Sequence, residues 1–154
     1  MGGRMQYFED IRVGDVKESV GDYELTAEEI VDFCSKWDPL PFHVDEEAAA
    51  ASPVGKLFTS AVHSIAIAIR LLHDMQTEPA ATVMGLGWDE VRFRTPACVG
   101  DRLRVRGEVI ETRLSESQPG TGILRSQIKL SNQRGETVIK FKGAALIRLR
   151  PQES

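Results

Sequence analysis

The segment FTSAVHSIAIAIRLLHDM, residues 58–75, constrains the fold more than any other part of this chain. Its large aliphatic residues are Ile65, Ile67, Ile69, Leu71 and Leu72. Alanines lie between them, so a helix of this length carries apolar side chains on almost every side. A helix that is hydrophobic all round is typical of a buried helix, and we expect the rest of the chain to cover it.

Four segments with strand character follow this helix. They are residues 81–93, 101–114, 121–131 and 136–149. They are rich in Val, Ile, Leu and Arg, and turn signals such as Gly100-Asp101 and Arg134-Gly135 separate them. The pattern predicts an α+β fold in which an antiparallel sheet wraps around the long helix. Such long strands indicate a strongly curved sheet, and pairing with a second copy would remove its exposed edge, so we expect a homodimer.

Shorter elements precede the long helix. A loop with a Gly-Asp turn is followed by one predicted strand over residues 17–25. Thr26 and Glu29 form a capping-box pattern at the start of TAEEIVDFCSKW, which predicts a helix that ends at or before Asp38 because Pro39 follows. Its apolar face contains Ile30, Phe33 and either Cys34 or Trp37.

Length and composition limit the class of protein. The 154 residues fit a single domain over residues 1–154, and a net charge of −4 argues against a nucleic-acid partner. No apolar run approaches the roughly 20 residues that span a bilayer, and the first residues lack the apolar core of a secretory signal. We therefore expect no membrane partner and a cytoplasmic location. Cys34 and Cys98 are expected to be reduced thiols.

The stretch WDPLPFHVD, residues 37–45, places an aspartate and one of only three histidines in a segment with two prolines. Proline fixes φ and removes a backbone donor, so the sequence predicts a stiff, irregular loop. Such a loop can bring Asp38 and His43 to one point, where the carboxylate orients the imidazole for proton transfer. The alternative is a loop histidine that satisfies a backbone group, with Asp38 capping the preceding helix.

The start of the long helix offers a second chemical feature. Amides at a helix N-terminus lack intrahelical partners and carry partial positive charge. The small residues Thr59, Ser60 and Ala61 would let a substrate carbonyl approach this backbone, as in an oxyanion hole. The simpler interpretation, which is compatible with catalysis, is that Thr59 or Ser60 caps the helix.

Other candidate residues carry less chemistry. His63 is either a core histidine with a satisfied hydrogen bond or a residue lining the same pocket. His43 and Asp45 alone are too few to bind a metal, so no metal site is expected. Cys34 has no suitably spaced base, which disfavours a nucleophilic role.

The runs DPLPFHVDEEAAAAS and GKLFTSAVHSIAIAIRLL resemble the MaoC-like dehydratases, the group that contains the (R)-specific enoyl-CoA hydratases. That family carries an Asp-x-Asn-Pro-x-His motif, and Asp38, Pro41 and His43 match its Asp, Pro and His. The later GWDEVRFRTPACVGDRLRVRGEV and the early YFEDIRVGDV are also similar to the family, so the resemblance covers nearly the whole chain.

The resemblance implies a hot-dog fold, with the long helix enclosed by the sheet, and hydration of a 2-enoyl thioester or the reverse dehydration. It implies that Asp38 and His43 activate water and that the backbone N–H of Ala61 stabilises the thioester oxygen. The residues expected to contact the substrate are Ser60, Pro41, Phe42 and His63. The expected partner is a CoA or acyl-carrier-protein thioester bound between two subunits, with no cofactor.

Two alternatives stay open at this point. A hot-dog acyl-CoA thioesterase would use an acidic residue and a helix N-terminus to hydrolyse the thioester. A non-catalytic acyl-CoA-binding subunit is the other alternative, because Leu40 stands where the family motif has Asn and Ala61 stands where glycine is usual.

Overall fold

The computed structural model describes residues 3–75 and 78–153, which form a six-stranded antiparallel sheet and four helices. The strands are β1 (Val16–Glu18), β2 (Tyr23–Glu24), β3 (Thr82–Phe93), β4 (Arg102–Leu114), β5 (Thr121–Ser131) and β6 (Thr137–Arg148). The helices are α1 (Ala27–Trp37), α2 (Pro41–Val44), α3 (Glu46–Ala50) and α4 (Ala61–Asp74), and a 3-10 turn lies at Phe8–Asp10. The four long strands match the predicted segments to within one residue at each end.

The sheet has the order β1-β4-β5-β6-β3, and β2 pairs with β4 outside this path. The long helix α4 contacts β4, β5 and β6, which confirms the predicted α+β arrangement of a sheet around this helix. The approach is close at Gly107 on β4, where a Cβ atom would lie 3.3 Å from Cδ2 of Leu72. None of the helices within the described ranges is both long and apolar enough to cross a membrane.

One face of α4 lies in the core. His63, Ser64, Ile67, Ala68 and Leu71 form this buried face. Val62, Ala66 and Arg70 are exposed in the single chain, so the prediction of a helix buried on all sides is wrong for one chain. The physical reason is that the sheet covers only the face toward β4, β5 and β6 and leaves the other face uncovered.

The single strand predicted over residues 17–25 is also wrong, because β1 and β2 are separated by an excursion of the chain. Ser19 causes the break: its Oγ accepts a hydrogen bond from the N–H of Val105 at 2.9 Å, in place of a backbone carbonyl. The chain then leaves the sheet at Val20, which is 96% exposed, and rejoins β4 at Tyr23.

Helix α1 forms where its sequence predicts, but only one half of the predicted capping box is present, because the Glu29 carboxylate bonds to residues outside the helix. The side chain of Thr26 accepts a hydrogen bond from the N–H of Glu29 at 3.2 Å and caps the helix. Ile30 and Cys34 are fully buried, whereas Trp37 is 63% exposed, so Cys34 is the residue that completes the buried face. This packing fixes the end of α1, and with it the position of the next residue, Asp38.

Candidate active site

The segment after α1 is more regular than predicted. The N–H of Asp38 donates to the carbonyl of Cys34 at 2.8 Å and ends the helix. Pro41 then starts the one-turn helix α2, where its fixed φ and missing N–H are tolerated at the first position. The expectation of a wholly irregular loop is therefore wrong, since its second half is helical and carries His43 into the interior.

His43 is 5% exposed and has a defined tautomer. Its Nδ1 lies 2.8 Å from the backbone oxygen of Phe58. A carbonyl oxygen only accepts hydrogen bonds, so Nδ1 must carry a proton and donate it to Phe58. The lone pair of Nε2 in the neutral ring is then available as an acceptor. The rings of Phe42 and Phe58 pack edge-on against the imidazole at centroid distances of 4.7 and 4.8 Å.

Asp38 and His43 face each other, as the sequence predicts. Oδ2 of Asp38 lies 3.8 Å from Nε2 of His43, and the aspartate side chain is 33% exposed. The distance is longer than a hydrogen bond, and both atoms are acceptors while the imidazole is neutral. The geometry suits a water molecule that donates one hydrogen to each atom. The histidine thus satisfies a backbone group, as the simpler interpretation holds, and still presents Nε2 to the carboxylate.

The N-terminus of α4 is connected to this pair through Phe58. Ser60 is fully buried and is the capping residue, since its Oγ accepts the N–H of His63 at 3.2 Å. Ala61 is the first helical residue, so its N–H has no intrahelical acceptor. His43 is bonded to Phe58, only three residues before Ala61, which limits the Phe58–Ala61 Cα separation to about 11 Å.

The residues expected to contact a substrate differ in accessibility. Pro41 is exposed, and Phe42 is half-buried and stacked on Phe58 at 5.2 Å. The hydroxyl of Ser60 is occupied by capping, and the side chain of His63 is buried. Pro41 and Phe42 are therefore at least partly accessible to a ligand, and Phe42 contacts the His43 ring, whereas Ser60 and His63 are buried and hydrogen-bonded.

His63 belongs to a hydrogen-bonded network that sequence reasoning missed. It is 3% exposed, its Nε2 lies 3.2 Å from Oε1 of Glu29, and its Nδ1 bonds to Oγ1 of Thr59. The ring stacks on Phe33 at 4.3 Å. Burial lowers the pKa of His63, and the Glu29 carboxylate opposes part of that effect.

Tyr23 completes the network from strand β2. Its hydroxyl bonds to the same Oε1 atom of Glu29 that faces His63. Burial raises the pKa of Tyr23, and the hydrogen bond to Glu29 and its negative charge raise it further. The sequence offered one signal of this network, Glu29, but the capping-box pattern had assigned that residue to the start of α1. Among the described residues, no group of three or more His, Cys, Asp or Glu side chains is placed to hold a metal ion.

Comparison with known proteins gives a consistent result. Residues 10–129 match the protein family described as "MaoC like domain". The 3-hydroxyacyl-thioester dehydratase Z of Mycobacterium tuberculosis is 33% identical to this chain over 98 residues, a match that covers 60% of this chain and 65% of that protein. This chain therefore covers less than two thirds of that relative's length.

Solved structures resemble nearly the whole chain. The MaoC-like dehydratase from Rhodospirillum rubrum is 35% identical, with a TM-score of 0.87, and the match covers 96% of this chain and 99% of that one. A Mycobacterium tuberculosis protein with a double hot-dog fold is 23% identical, with a TM-score of 0.73. The match covers 99% of this chain and 46% of that protein's chain. These likenesses confirm the expected hot-dog fold.

Proposed function

The chain belongs to the MaoC-like domain family, and we propose that it is a hydro-lyase acting on 2-enoyl or 3-hydroxyacyl thioesters. The observation that carries the proposal is the facing pair formed by Nε2 of His43 and Oδ2 of Asp38, 3.8 Å apart. The relative named 3-hydroxyacyl-thioester dehydratase Z supports the same reaction class.

In the proposed hydration, a water molecule bound between Asp38 and His43 attacks Cβ of the enoyl thioester. Nε2 of His43 accepts a proton from the water as its oxygen bonds to Cβ, and the Asp38 carboxylate stabilises the imidazolium. The pair then delivers that proton to Cα on the same face, so the sum of the steps is the addition of one water molecule. Dehydration is the same path in reverse.

Charge develops on the thioester oxygen during this reaction. We assign its stabilisation to the backbone N–H of Ala61, at the positive end of α4. Pro41 and Phe42 are proposed to contact the acyl thioester, because Pro41 is exposed and the half-buried Phe42 packs against the His43 ring. Ser60 and His63 are buried and hydrogen-bonded, so we propose that they support the site and do not touch the substrate.

A homodimer through strand β3 is proposed to complete the site. Strand β3 ends the sheet and is exposed along nearly all of its 12 residues. Its exposed large apolar residues are Val83, Met84, Leu86, Trp88 and Phe93. A long apolar edge strand invites pairing with another chain. The pantetheine arm of a CoA or acyl-carrier-protein thioester would then lie between the two subunits.

Incubation of the purified protein with crotonyl-CoA and longer 2-enoyl-CoAs tests the function. Loss of the enoyl absorbance without release of free thiol indicates hydration, which is the expected result. Release of free thiol would instead establish a thioesterase. Retained binding with neither change would establish a non-catalytic acyl-CoA-binding protein.

A further inference from the structure

The two buried histidines are bonded to adjacent residues of one short segment. Nδ1 of His43 donates to the backbone oxygen of Phe58, and Nδ1 of His63 bonds to the side chain of Thr59. The Phe58–Thr59 segment directly precedes the N-terminus of α4. The segment therefore links the candidate active site physically to the network formed by Tyr23, Glu29 and His63.

The hydrogen-bond directions in this network are determined by its chemistry. The Glu29 carboxylate can only accept, so both the Tyr23 hydroxyl and Nε2–H of His63 donate to it. Neutral His63 then accepts at Nδ1, which requires the Thr59 hydroxyl to donate its hydrogen to that atom. The Glu29 carboxylate thus sets the tautomer of His63 and, through it, the orientation of the Thr59 hydroxyl.

Thr59 is held on several sides. Its backbone N–H donates to the carbonyl of Ala97 at 2.8 Å, and its Oγ1 lies 3.5 Å from Sγ of Cys34. The backbone carbonyl of Cys34 accepts the N–H of Asp38. A displacement of Thr59 would therefore affect both the Phe58 carbonyl that orients His43 and the contact with the residue that holds Asp38.

We propose that Glu29 and His63 are positioning residues for His43. Their hydrogen bonds fix Thr59, and the Phe58 carbonyl next to it then keeps His43 in the Nδ1–H tautomer with Nε2 free beside Asp38. This inference rests on the proposed function for its effect on catalysis, whereas the coupling between the two histidines is a structural property of the fold.

A matched pair of substitutions at position 29 tests the role. Both network bonds at Glu29 use one oxygen, Oε1, so the carbonyl oxygen of Gln can replace it, while Leu cannot. We expect Glu29→Leu to lower kcat by about 10- to 100-fold through misplacement of His43. We expect KM of Glu29→Leu to stay within about twofold of the wild-type value. Glu29→Gln should keep kcat within about threefold of the wild-type value. The control is Glu28→Leu, which makes the same change at the exposed neighbouring residue and should keep wild-type kcat.

Nitrogen NMR of 15N-histidine-labelled protein provides the readout at His43. The wild type should show the Nδ1–H tautomer for His43 and the Nε2–H tautomer for His63. In Glu29→Leu, the His43 resonances should shift or double, and in Glu29→Gln and Glu28→Leu they should stay in place. Wild-type kcat in a folded Glu29→Leu protein would overturn the proposal, and so would a lower kcat with unmoved His43 resonances.

Thr59→Val provides a second, nearly isosteric variant if Glu29→Leu does not fold. It removes only the hydroxyl that donates to His63, and it should produce the same kcat loss and the same change at His43. Unmoved His43 resonances in folded Thr59→Val would contradict the coupling. If the wild type hydrates no enoyl thioester, the proposed function fails, while the resonances of His43 still decide whether the two histidines are coupled.

Discussion

Nε2 of His43 and Oδ2 of Asp38 lie 3.8 Å apart, with Nδ1 of the same imidazole committed to the Phe58 carbonyl. Because Nδ1 holds the proton of the neutral ring, Nε2 and the carboxylate are two acceptors that face each other. A hydrogen donor placed between them satisfies both, and water is the smallest such donor. The relationship between these two residues therefore supports the proposed reaction, in which water is the nucleophile or the product.

Replacement of either member of the pair should abolish most of the turnover. We expect Asp38→Asn and His43→Gln each to lower kcat by about 10²- to 10⁴-fold, because the first removes the charge that stabilises the imidazolium and the second removes the base. The assay is the enoyl-CoA absorbance change, with circular dichroism to verify the fold. Asp45→Asn is the matched control, since this acid in the same segment caps α3 and asparagine caps equally well. Full activity in either variant of the pair would exclude the mechanism.

Stability should decrease as the pH falls below 6.5, in part because of His63. Burial lowers the pKa of folded His63 below its ordinary value of 6.5. The unfolded chain therefore binds a proton there more readily, so the His63 contribution is fully present above pH 6.5 and is lost as the pH falls through the folded pKa. Urea midpoints at about pH 7.5 and about pH 5.5 should differ more in the wild type than in His63→Gln.

The carboxylates with lowered pKa values should not contribute to the difference in urea midpoint between these two pH values. Hydrogen bonds lower the pKa of four carboxylates, which are Asp10, Asp22, Glu90 and Glu136. Their ordinary pKa values are 3.8 and 4.5, so the stability they contribute is present above those values and lost only at lower pH. An equal loss between the two pH values in wild type and His63→Gln would show that His63 does not carry the effect.

The sequence predicts the elements that depend on local chemistry. Thr26, Pro39 and Pro41 act on their immediate neighbours, and Asp38 and His43 are only five positions apart, so this part of the site could be inferred without a structure. The contact of Glu29 with His63 joins residues 34 positions apart and exists only because α1 packs against α4. The break between β1 and β2 likewise depends on Ser19 bonding to Val105, 86 positions away, which no local pattern encodes.

Gly122 on β5 should not tolerate a side chain. A Cβ atom at this position would overlap the ring of Phe8, which packs on the small core cluster of Ile11, Ala81 and Ile147. We expect Gly122→Ala to lower the free energy of unfolding by about 1–3 kcal/mol, measured by urea denaturation, because the ring must leave its packed position.

Gly143→Ala is the appropriate comparison for this substitution. Gly143 lies on the neighbouring strand β6, and its added Cβ would meet Cδ1 of Ile128 at 3.5 Å, an ordinary contact distance. We expect a change of less than about 1 kcal/mol there. Equal effects of the two substitutions would contradict the steric explanation and indicate a general cost of replacing glycine in these strands.

Charges on the edge of β3 should prevent the proposed dimer. In size-exclusion chromatography with light scattering, the wild type is expected to have twice the chain mass of 17.1 kDa. Val83→Lys combined with Leu86→Lys should shift it to the monomer mass, since lysines on an edge strand oppose strand pairing. Val20→Lys, on an exposed residue between β1 and β2, should leave the dimer intact. A wild-type monomer, or a double variant that remains dimeric, would exclude pairing through β3.

Removal of a single backbone donor tests the oxyanion site at Ala61. Proline is tolerated at the first position of a helix, so Ala61→Pro deletes the N–H while keeping α4. The preceding residue, Ser60, has φ −69° and ψ 157°, a conformation that is favourable before proline. We expect kcat to fall by about 10²- to 10³-fold, as when other oxyanion donors are removed.

Two controls separate the lost donor from other effects of this substitution. Ala27→Pro changes the first position of α1, where Thr26 has φ −94° and ψ 154°, and should keep kcat because no reaction step uses that amide. Ala61→Gly retains the N–H and should keep kcat as well. If Ala61→Pro turns over substrate like the wild type, another group must stabilise the thioester oxygen. If Ala27→Pro loses as much activity, the effect belongs to helix packing, because the same backbone change then acts in a helix whose first N–H has no proposed role.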